Sequence, residues 1–367
     1  MHDFLEIKQL GDNQVLNHFQ DFFSAYASAA AAVGTTTELN VEVARRKVDL
    51  HIAGNDLAAK LTRAIQHRRT DASSAKDAAL YIFESEKPEH HLPPFFVRLI
   101  EIVKTHPNPG LRRFRGDIPV LTNHRFRAAM TDFSFTMADI ETSVCVHWVA
   151  GANSIPSYEL AAPLRVPFNF ILNSATRQLV HGGAVGNEKG GVFLGGVGGS
   201  GKSTTAINSL SSSELRYAGD DYVLLDFDRV PVAFNLYGTA KVKSVEDTIR
   251  FPRFKDHFEI ASADTSFGKP VLFVTEHFPD KIAAQLPLNA IVFPKFEAGA
   301  KLQVAEMSRQ VVFREIATST VRQTAGNEHE TVALIGRLVR ELPCYKLTFG
   351  EEQSGIPDAL IRIIEKT

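Results

Sequence analysis

Hydrophobic residues in the first part of the chain recur at helical spacing and then at strand spacing. Leu16, Phe19, Phe22, Phe23 and Tyr26, followed by an Ala-rich stretch, predict a helix that Gly34-Thr35-Thr36-Thr37 breaks. Over residues 40–52 the apolar positions Val41, Val43, Val48, Leu50 and Ile52 predict a strand. A short amphipathic helix is expected over 57–65, a strand over 79–83 and a helix over 95–104. Strands return over 126–130 and 142–150, and residues 151–157 read as a linker. A helix is expected over 163–179. These patterns set an N-terminal α+β domain at 1–155 and a second domain at 156–367.

The second part changes character. Short apolar runs alternate with Gly-rich turns and helical segments, the signature of an α/β nucleotide-binding core. A buried strand is expected over 288–293, ended by Pro294. Helices over 334–342 and 359–364 flank a strand over 344–347.

The strongest chemical signal is the run Gly195-Gly196-Val197-Gly198-Gly199-Ser200-Gly201-Lys202-Ser203-Thr204. Gly196 to Ser203 fits G-x-x-x-x-G-K-[ST] at every fixed position, with an apolar strand before it and a helix start after it. Chance alone gives such a match in a chain of this length on the order of 1% of the time. Glycines let backbone N–H groups approach phosphate oxygens, and the helix N-terminus adds partial positive charge. Lys202 is placed to reach the β- and γ-phosphates of ATP, and the Ser203 hydroxyl to help hold Mg²⁺.

Downstream, Asp220 and Asp221 lie side by side between two apolar segments. Such a pair is costly unless a cation neutralises it, as Mg²⁺ with ATP does. One carboxylate would then contact the metal and the other would take the proton of an attacking hydroxyl. Without the glycine loop, a solvated turn accounts for the pair equally well. His181, in Leu179-Val180-His181-Gly182-Gly183, carries little weight alone.

Together, His181-Gly182, the Gly-Lys-Ser loop and the Asp-Asp pair resemble the catalytic domain of HPr kinase/phosphorylase, which shares its fold with ATP-dependent phosphoenolpyruvate carboxykinase. Residues 217–221 and 236–241 are similar to segments of the bacterial HPr-kinase-related proteins, some of which phosphorylate lasso-peptide precursors. The resemblance spans 181–241 closely and the rest of the second domain loosely. It does not reach the first 150 residues. It implies nucleotide-loop roles for Gly196, Gly198, Gly199, Ser200, Gly201, Lys202, Ser203 and Thr204. It implies that Asp220 and Asp221 are the acid/base and metal-linked pair, without fixing which is which, and that His181 lies near the reacting phosphate; the division taken here is Asp220 as base and Asp221 with Ser203 on the metal. The family has Glu where this chain has Thr204, and its Arg-Gly-Gly-Ile-Asn-type signature has no counterpart here, so HPr is not the expected acceptor.

Further candidates are Lys241 and Lys243, which on a strand would point to one face and could stabilise a transferring phosphoryl group. Arg250 and Arg253 could bind phosphate or an acidic peptide, or simply be solvated. The polar run 318–323 could line a substrate groove. The basic spot Arg112, Arg113 and Arg115 reads as a solvated face, and His90-His91 is a poor metal site.

Composition narrows the classes. The 367 residues are 44% hydrophobic and 22% charged, which excludes wholesale disorder. Forty basic against 42 acidic residues, net −2, argue against a dedicated nucleic-acid binder. Two cysteines exclude a disulfide scaffold and fit a reducing cytoplasm, and no apolar run is long enough to span a membrane. The reading is therefore a cytoplasmic ATP/Mg²⁺-dependent kinase that phosphorylates a Ser or Thr hydroxyl of a protein or peptide. The alternatives are an ATP-binding regulator and a small-molecule kinase. The acceptor is unnamed and a homo-oligomer is left open.

Overall fold

The computed structural model of the chain describes residues 10–71, 76–85, 92–105, 117–260 and 268–367. His90, His91, Arg112, Arg113 and Arg115 lie outside the described residues. The chain forms two compact units. One comprises Met1–Ile155, Pro163–Leu172 and Arg322–Asn327; the other comprises Pro156–Ala162, Asn173–Val321 and Glu328–Thr367. Two segments beyond residue 155 thus belong to the first unit.

The first unit is built on a mixed seven-stranded sheet in the order β1-β2-β3-β7-β6-β5-β4. Its strands are β1 (Thr36–Val43), β2 (Arg46–Ala53), β3 (Ala78–Glu84), β4 (Ile118–Thr122), β5 (Phe126–Met130), β6 (Ser134–Asp139) and β7 (Val144–Val149). β2, β3 and β7 run parallel to one another and the other pairs are antiparallel. Helices α1 (Asp12–Val33), α2 (Asn55–Thr62), α3 (Pro94–Thr105) and α4 (Arg165–Leu172) complete it. The apolar face of α1 buries Phe19, Phe22 and Tyr26, and Phe22 meets Phe135 edge-on at 5.3 Å. Gly34 ends α1 in the left-handed conformation, φ 70°.

Within this unit Arg165 donates to both carboxylate oxygens of Asp117 at 2.7 Å and also to the Gln323 carbonyl. That fully buried fork ties together its three chain segments. Removing either partner would leave an uncompensated buried charge.

The single strand expected over 40–52 is a hairpin. β1 and β2 meet at Ala44-Arg45, with φ 52° and 63°, and Val43 pairs with Arg46. A two-residue turn with both φ positive usually advertises itself by Gly or Asn, and here neither is present.

The second unit holds a nine-stranded sheet. Its main path is β11 (Arg216–Gly219), β9 (Gly183–Asn187), β10 (Gly190–Leu194), β17 (Gln285–Phe296), β13 (Val232–Phe234), β12 (Tyr222–Asp226) and β8 (Arg177–His181). β19 (Cys344–Phe349) pairs with β17, and β18 (Gln303–Glu306) pairs with β19. The core pairs β10–β17 and β17–β19 are parallel, as in α/β sheets whose helices cover the faces. A separate small sheet has the order β14 (Thr239–Lys241), β16 (Val271–Phe273) and β15 (Phe258–Glu259). The longer helices here are α5 (Lys202–Ser209), α6 (Arg309–Val321), α7 (Glu328–Glu341) and α8 (Ile356–Lys366).

Three expectations are corrected. The helix expected over 163–179 stops at Leu172, and Arg177–His181 is strand β8. Ser174 and Arg177 exchange both backbone hydrogen bonds, while Asn173 Oδ1 accepts the Leu179 N–H at 2.8 Å, so a tight backbone turn and one side chain close the helix. Second, Pro294 does not end its strand; β17 runs on to Phe296. The missing N–H would face the side on which β10 has already stopped at Leu194, opposite Val292. Third, Lys241 and Lys243 do not share a strand face, because β14 ends at Lys241 and Lys243 lies exposed beyond it.

Among the described residues no helix is long and apolar enough to cross a membrane. Cys145 and Cys344 are both buried and free.

Candidate active site

The glycine-rich run joins β10 to α5. Gly195 still donates to the Val292 carbonyl at 2.9 Å, and the chain then leaves the sheet. Gly201, immediately before α5, has φ 114°, and a Cβ there would lie 2.8 Å from the Phe349 ring. Gly196 has φ 130°, and its Cβ would lie 2.7 Å from Ser200 Oγ. Only glycine fits either position without strain.

Thr205 makes the first hydrogen bond of α5, donating to the Gly201 carbonyl at 2.8 Å. The N–H groups of Lys202, Ser203 and Thr204 therefore fall in the turn that has no earlier helical carbonyl to meet. Lys202 is buried, and its Nζ donates to the carbonyls of Gly196 at 2.7 Å and Val197 at 3.3 Å. The buried Ser200 Oγ has no hydrogen-bond partner among the described residues. A buried ammonium, a first helical turn and an orphaned hydroxyl thus share one small loop, as an anion receptor requires.

Two chain corners build the acidic part. Tyr222 in β12 pairs with His181 at the end of β8, while β9 and β11 pair beyond the bend. Both chains turn at the same level, at His181-Gly182-Gly183 and at Gly219-Asp220-Asp221. Gly182 N–H donates to the Asp221 carbonyl at 2.9 Å. A Cβ on Gly183 would lie 2.5 Å from the Gly219 carbonyl, so the crossing needs glycine there. The histidine and the two carboxylates are consequently neighbours.

The side chains are specifically paired. His181 Nε2 lies 3.3 Å from Asp221 Oδ1, and Lys241 Nζ donates to Asp221 Oδ2 at 2.5 Å. His181 Nδ1 meets the Ser319 hydroxyl at 2.5 Å, and the His181 N–H donates to Thr320 Oγ1 at 3.3 Å. Asp220 is more deeply buried. Its Oδ1 accepts from Tyr217 Oη at 3.2 Å and its Oδ2 from the Lys241 N–H at 3.2 Å. The Ser203 hydroxyl also lowers the proton affinity of Asp220, which puts the first turn after the glycine loop beside the acidic corner. A pocket lined by Gly219, Asp220, Asp221, Tyr237, Thr239 and Lys241 opens here.

Electrostatics mark Asp220. Burial raises its proton affinity above the ordinary carboxylate value, and the adjacent Asp221 charge adds to the rise. Lys241, Ser203 and the Lys241 N–H oppose it without cancelling it. Burial, followed by the Asp220 charge, pushes the Tyr217 phenol well above its usual range. The pair therefore carries negative charge that its protein neighbours only partly compensate.

Of the residues singled out in the sequence, His181, Lys202, Ser203, Asp220, Asp221 and Lys241 are linked by these contacts or by the loop. Thr204 occupies the first turn of α5, and exposed Gly198 and Gly199 form the tip of the loop. Lys243, Arg250 and Arg253 are exposed and make no contact with the acidic pair. Arg250 pairs with Asp247 at 3.4 Å, and Arg253 donates to the Ser211 carbonyl at 3.2 Å. Sequence reasoning missed the parts played by Tyr217, Thr239, Ser319 and Thr320. The last two fall inside the polar run 318–323, which lies within and just beyond α6 rather than in an open groove. Thr239 accepts from Tyr217 through its carbonyl at 2.5 Å and donates through its hydroxyl to the Ala161 carbonyl.

Among the described residues no group of three or more His, Cys, Asp or Glu side chains could hold a metal ion by itself. A magnesium ion does not need one, because it is commonly held by one or two protein oxygens plus substrate phosphates and water. Ser203 Oγ beside the undercompensated Asp220 fits that donor set.

Neither a protein-family model nor a curated protein matches this chain. A solved structure of the Hpr(Ser) kinase/phosphatase from Coxiella burnetii is similar, at 12% identity, over 52% of this chain and 95% of that chain, with a TM-score of 0.26. The likeness is distant. The fold itself is a mixed α/β arrangement with parallel core strands.

Proposed function

We propose that the chain is an ATP- and Mg²⁺-dependent phosphotransferase that moves the γ-phosphoryl group to a hydroxyl, specifically a Ser or Thr of a protein or peptide. The observation that carries this reading is the His181–Asp221–Lys241 cluster beside buried Asp220, a carboxylate that Ser203 of the glycine loop also influences. The peptide acceptor rests on the sequence resemblance of residues 181–241 to the HPr-kinase-related proteins.

In this reading the first-turn N–H groups of α5 and the Lys202 ammonium hold the β- and γ-phosphates of ATP. Ser203 and Asp220 would hold Mg²⁺, which when bound would neutralise phosphate charge. Both oxygens of each carboxylate have partners, but Asp220 is buried whereas Asp221 is the more accessible carboxylate. This favours Asp221 as the proton acceptor and Asp220 on the metal side, the reverse of the division read from the sequence. The acceptor oxygen bonds to the γ-phosphorus as the bond to the bridging β-oxygen breaks. The hydroxyl proton passes to Asp221, and ADP leaves. His181, oriented by Ser319, hydrogen-bonds Asp221 and holds it in line. Lys241 anchors its other oxygen and supplies positive charge beside the transferring group.

The test uses γ-labelled ATP, Mg²⁺ and an extract of the native source, with label read separately in macromolecules and in small molecules. Label in a polypeptide at Ser or Thr, dependent on Asp221, is expected. Label confined to a metabolite would transfer the reading to a small-molecule kinase. ATP binding with no transfer would leave a nucleotide-binding regulator.

A further inference from the structure

Three basic side chains converge on the end of α5 remote from the glycine loop. Arg253 donates to the Ser211 carbonyl at 3.2 Å and Lys281 Nζ to the Ser212 carbonyl at 2.5 Å. Arg216 donates to the carbonyls of Ser213 at 2.9 Å and Leu215 at 3.2 Å. They come from three separate stretches of the second unit: the start of β11, the segment after Arg250 and the turn Pro279–Lys281.

Helix capping accounts for part of this arrangement. Cations favour a helix C-terminus, but that end carries only about half a negative charge. Three cations exceed it several-fold. Among the described residues none of the three forms an ion pair with a carboxylate. Lys281 shows the crowding: burial first, then the charge of Arg216, lower its proton affinity below the ordinary value, with Asp280 opposing and Arg253 adding to the fall. Arg253 is exposed, and Arg216 and Lys281 are half-buried, so the cluster is open to a ligand. Its excess charge, two planar guanidinium forks and one ammonium suit a tetrahedral dianion.

We propose that Arg216, Arg253 and Lys281 form a receptor for a phosphomonoester dianion, separate from the glycine loop. Two sources share that chemistry. One is a free small phosphate ester. The other is a phosphoserine of this chain, since the turn that the cations clasp is Ser211-Ser212-Ser213, and the exposed Ser213 hydroxyl has no partner among the described residues. The site does not depend on the phosphotransferase reading.

The test measures binding of inorganic phosphate by calorimetry, against chloride at equal ionic strength. The Lys202→Ala protein is used so that the loop does not contribute. Saturable binding is expected, weakened at least tenfold by Arg253→Gln with Lys281→Met. In an otherwise wild-type chain the same pair of substitutions should leave ATP binding unchanged. If the double variant unfolds, exposed Arg253→Gln alone should still weaken phosphate binding by several-fold. No binding to the Lys202→Ala protein with Ser213 unmodified, or binding indifferent to Arg253 and Lys281, would overturn the proposal. Mass spectrometry of the natively produced protein separates the sources. Phosphate on Ser213, with loss of free-phosphate binding, identifies the chain itself. An unmodified turn that binds phosphate identifies a free ester.

Discussion

His181 Nε2 lies 3.3 Å from Asp221 Oδ1, and the same histidine meets Ser319 through its other ring nitrogen. The contact follows from topology. His181 ends β8, Asp221 precedes β12, and these strands pair with Tyr222 opposite His181. Ser319 then selects which nitrogen faces the carboxylate. Ser319→Ala should leave ATP binding intact and lower transfer. A hydrogen bond worth about 1 kcal/mol corresponds to roughly a fivefold fall in rate. Ser319→Thr, which keeps a hydroxyl, should recover part of it. The check is a comparison of kcat with KM across pH, since a purely structural role would not shift the pH profile.

Lys202 is the loop's only cation, and it is buried against the loop carbonyls. Lys202→Ala removes a charged hydrogen-bond donor, worth about 1.5–3 kcal/mol. Affinity for ATP should fall roughly 10- to 150-fold. Titration with a fluorescent ATP analogue measures this. Unchanged affinity would separate the loop from nucleotide binding.

Asp220 makes stability depend on pH. Its proton affinity in the folded chain is raised above the ordinary value of 3.8, by burial first and then by Asp221. A raised carboxylate contributes stability that is fully present below its unfolded value and is lost as pH rises through its folded value. Asp220→Asn should therefore melt higher than wild type at neutral pH, and the difference should shrink as pH falls towards 3.8. The same substitution should weaken the Mg²⁺ dependence of ATP binding. Thermal melts over a pH series, with and without Mg²⁺, check both.

Gly201 holds the start of α5 at φ 114°, with Phe349 where a Cβ would sit. Gly201→Ala should destabilise the fold by about 1–3 kcal/mol and weaken ATP binding by displacing the first helical turn. Gly198→Ala, at a tip position with open space around it, should cost less. Paired melting curves and nucleotide titrations distinguish the two.

The glycine loop, Lys202, the Asp pair and His181 were legible because each is a local pattern of residue types. The structure adds Ser319 and Thr320, which reach His181 only because α6 packs beside β8. No spacing in the sequence encodes that packing. Tyr217 was hidden for a similar reason: its hydroxyl is shared between Asp220 in the next bend and Thr239 on another sheet. Local signals also misled. Ala44 and Arg45 turn without Gly or Asn, Pro294 sits where its missing N–H faces no strand, and β14 stops before Lys243 can join Lys241. In each case a tertiary partner, or its absence, decided against the local propensity.

The most direct test of the central claim is phosphoryl transfer by Asp221→Asn, measured with γ-labelled ATP beside its ATP affinity. A carboxylate that accepts the acceptor's proton contributes roughly 100- to 10,000-fold in rate. The account predicts a loss of that size with ATP affinity close to wild type. Transfer that survives the substitution, or ATP binding lost together with transfer, would contradict it.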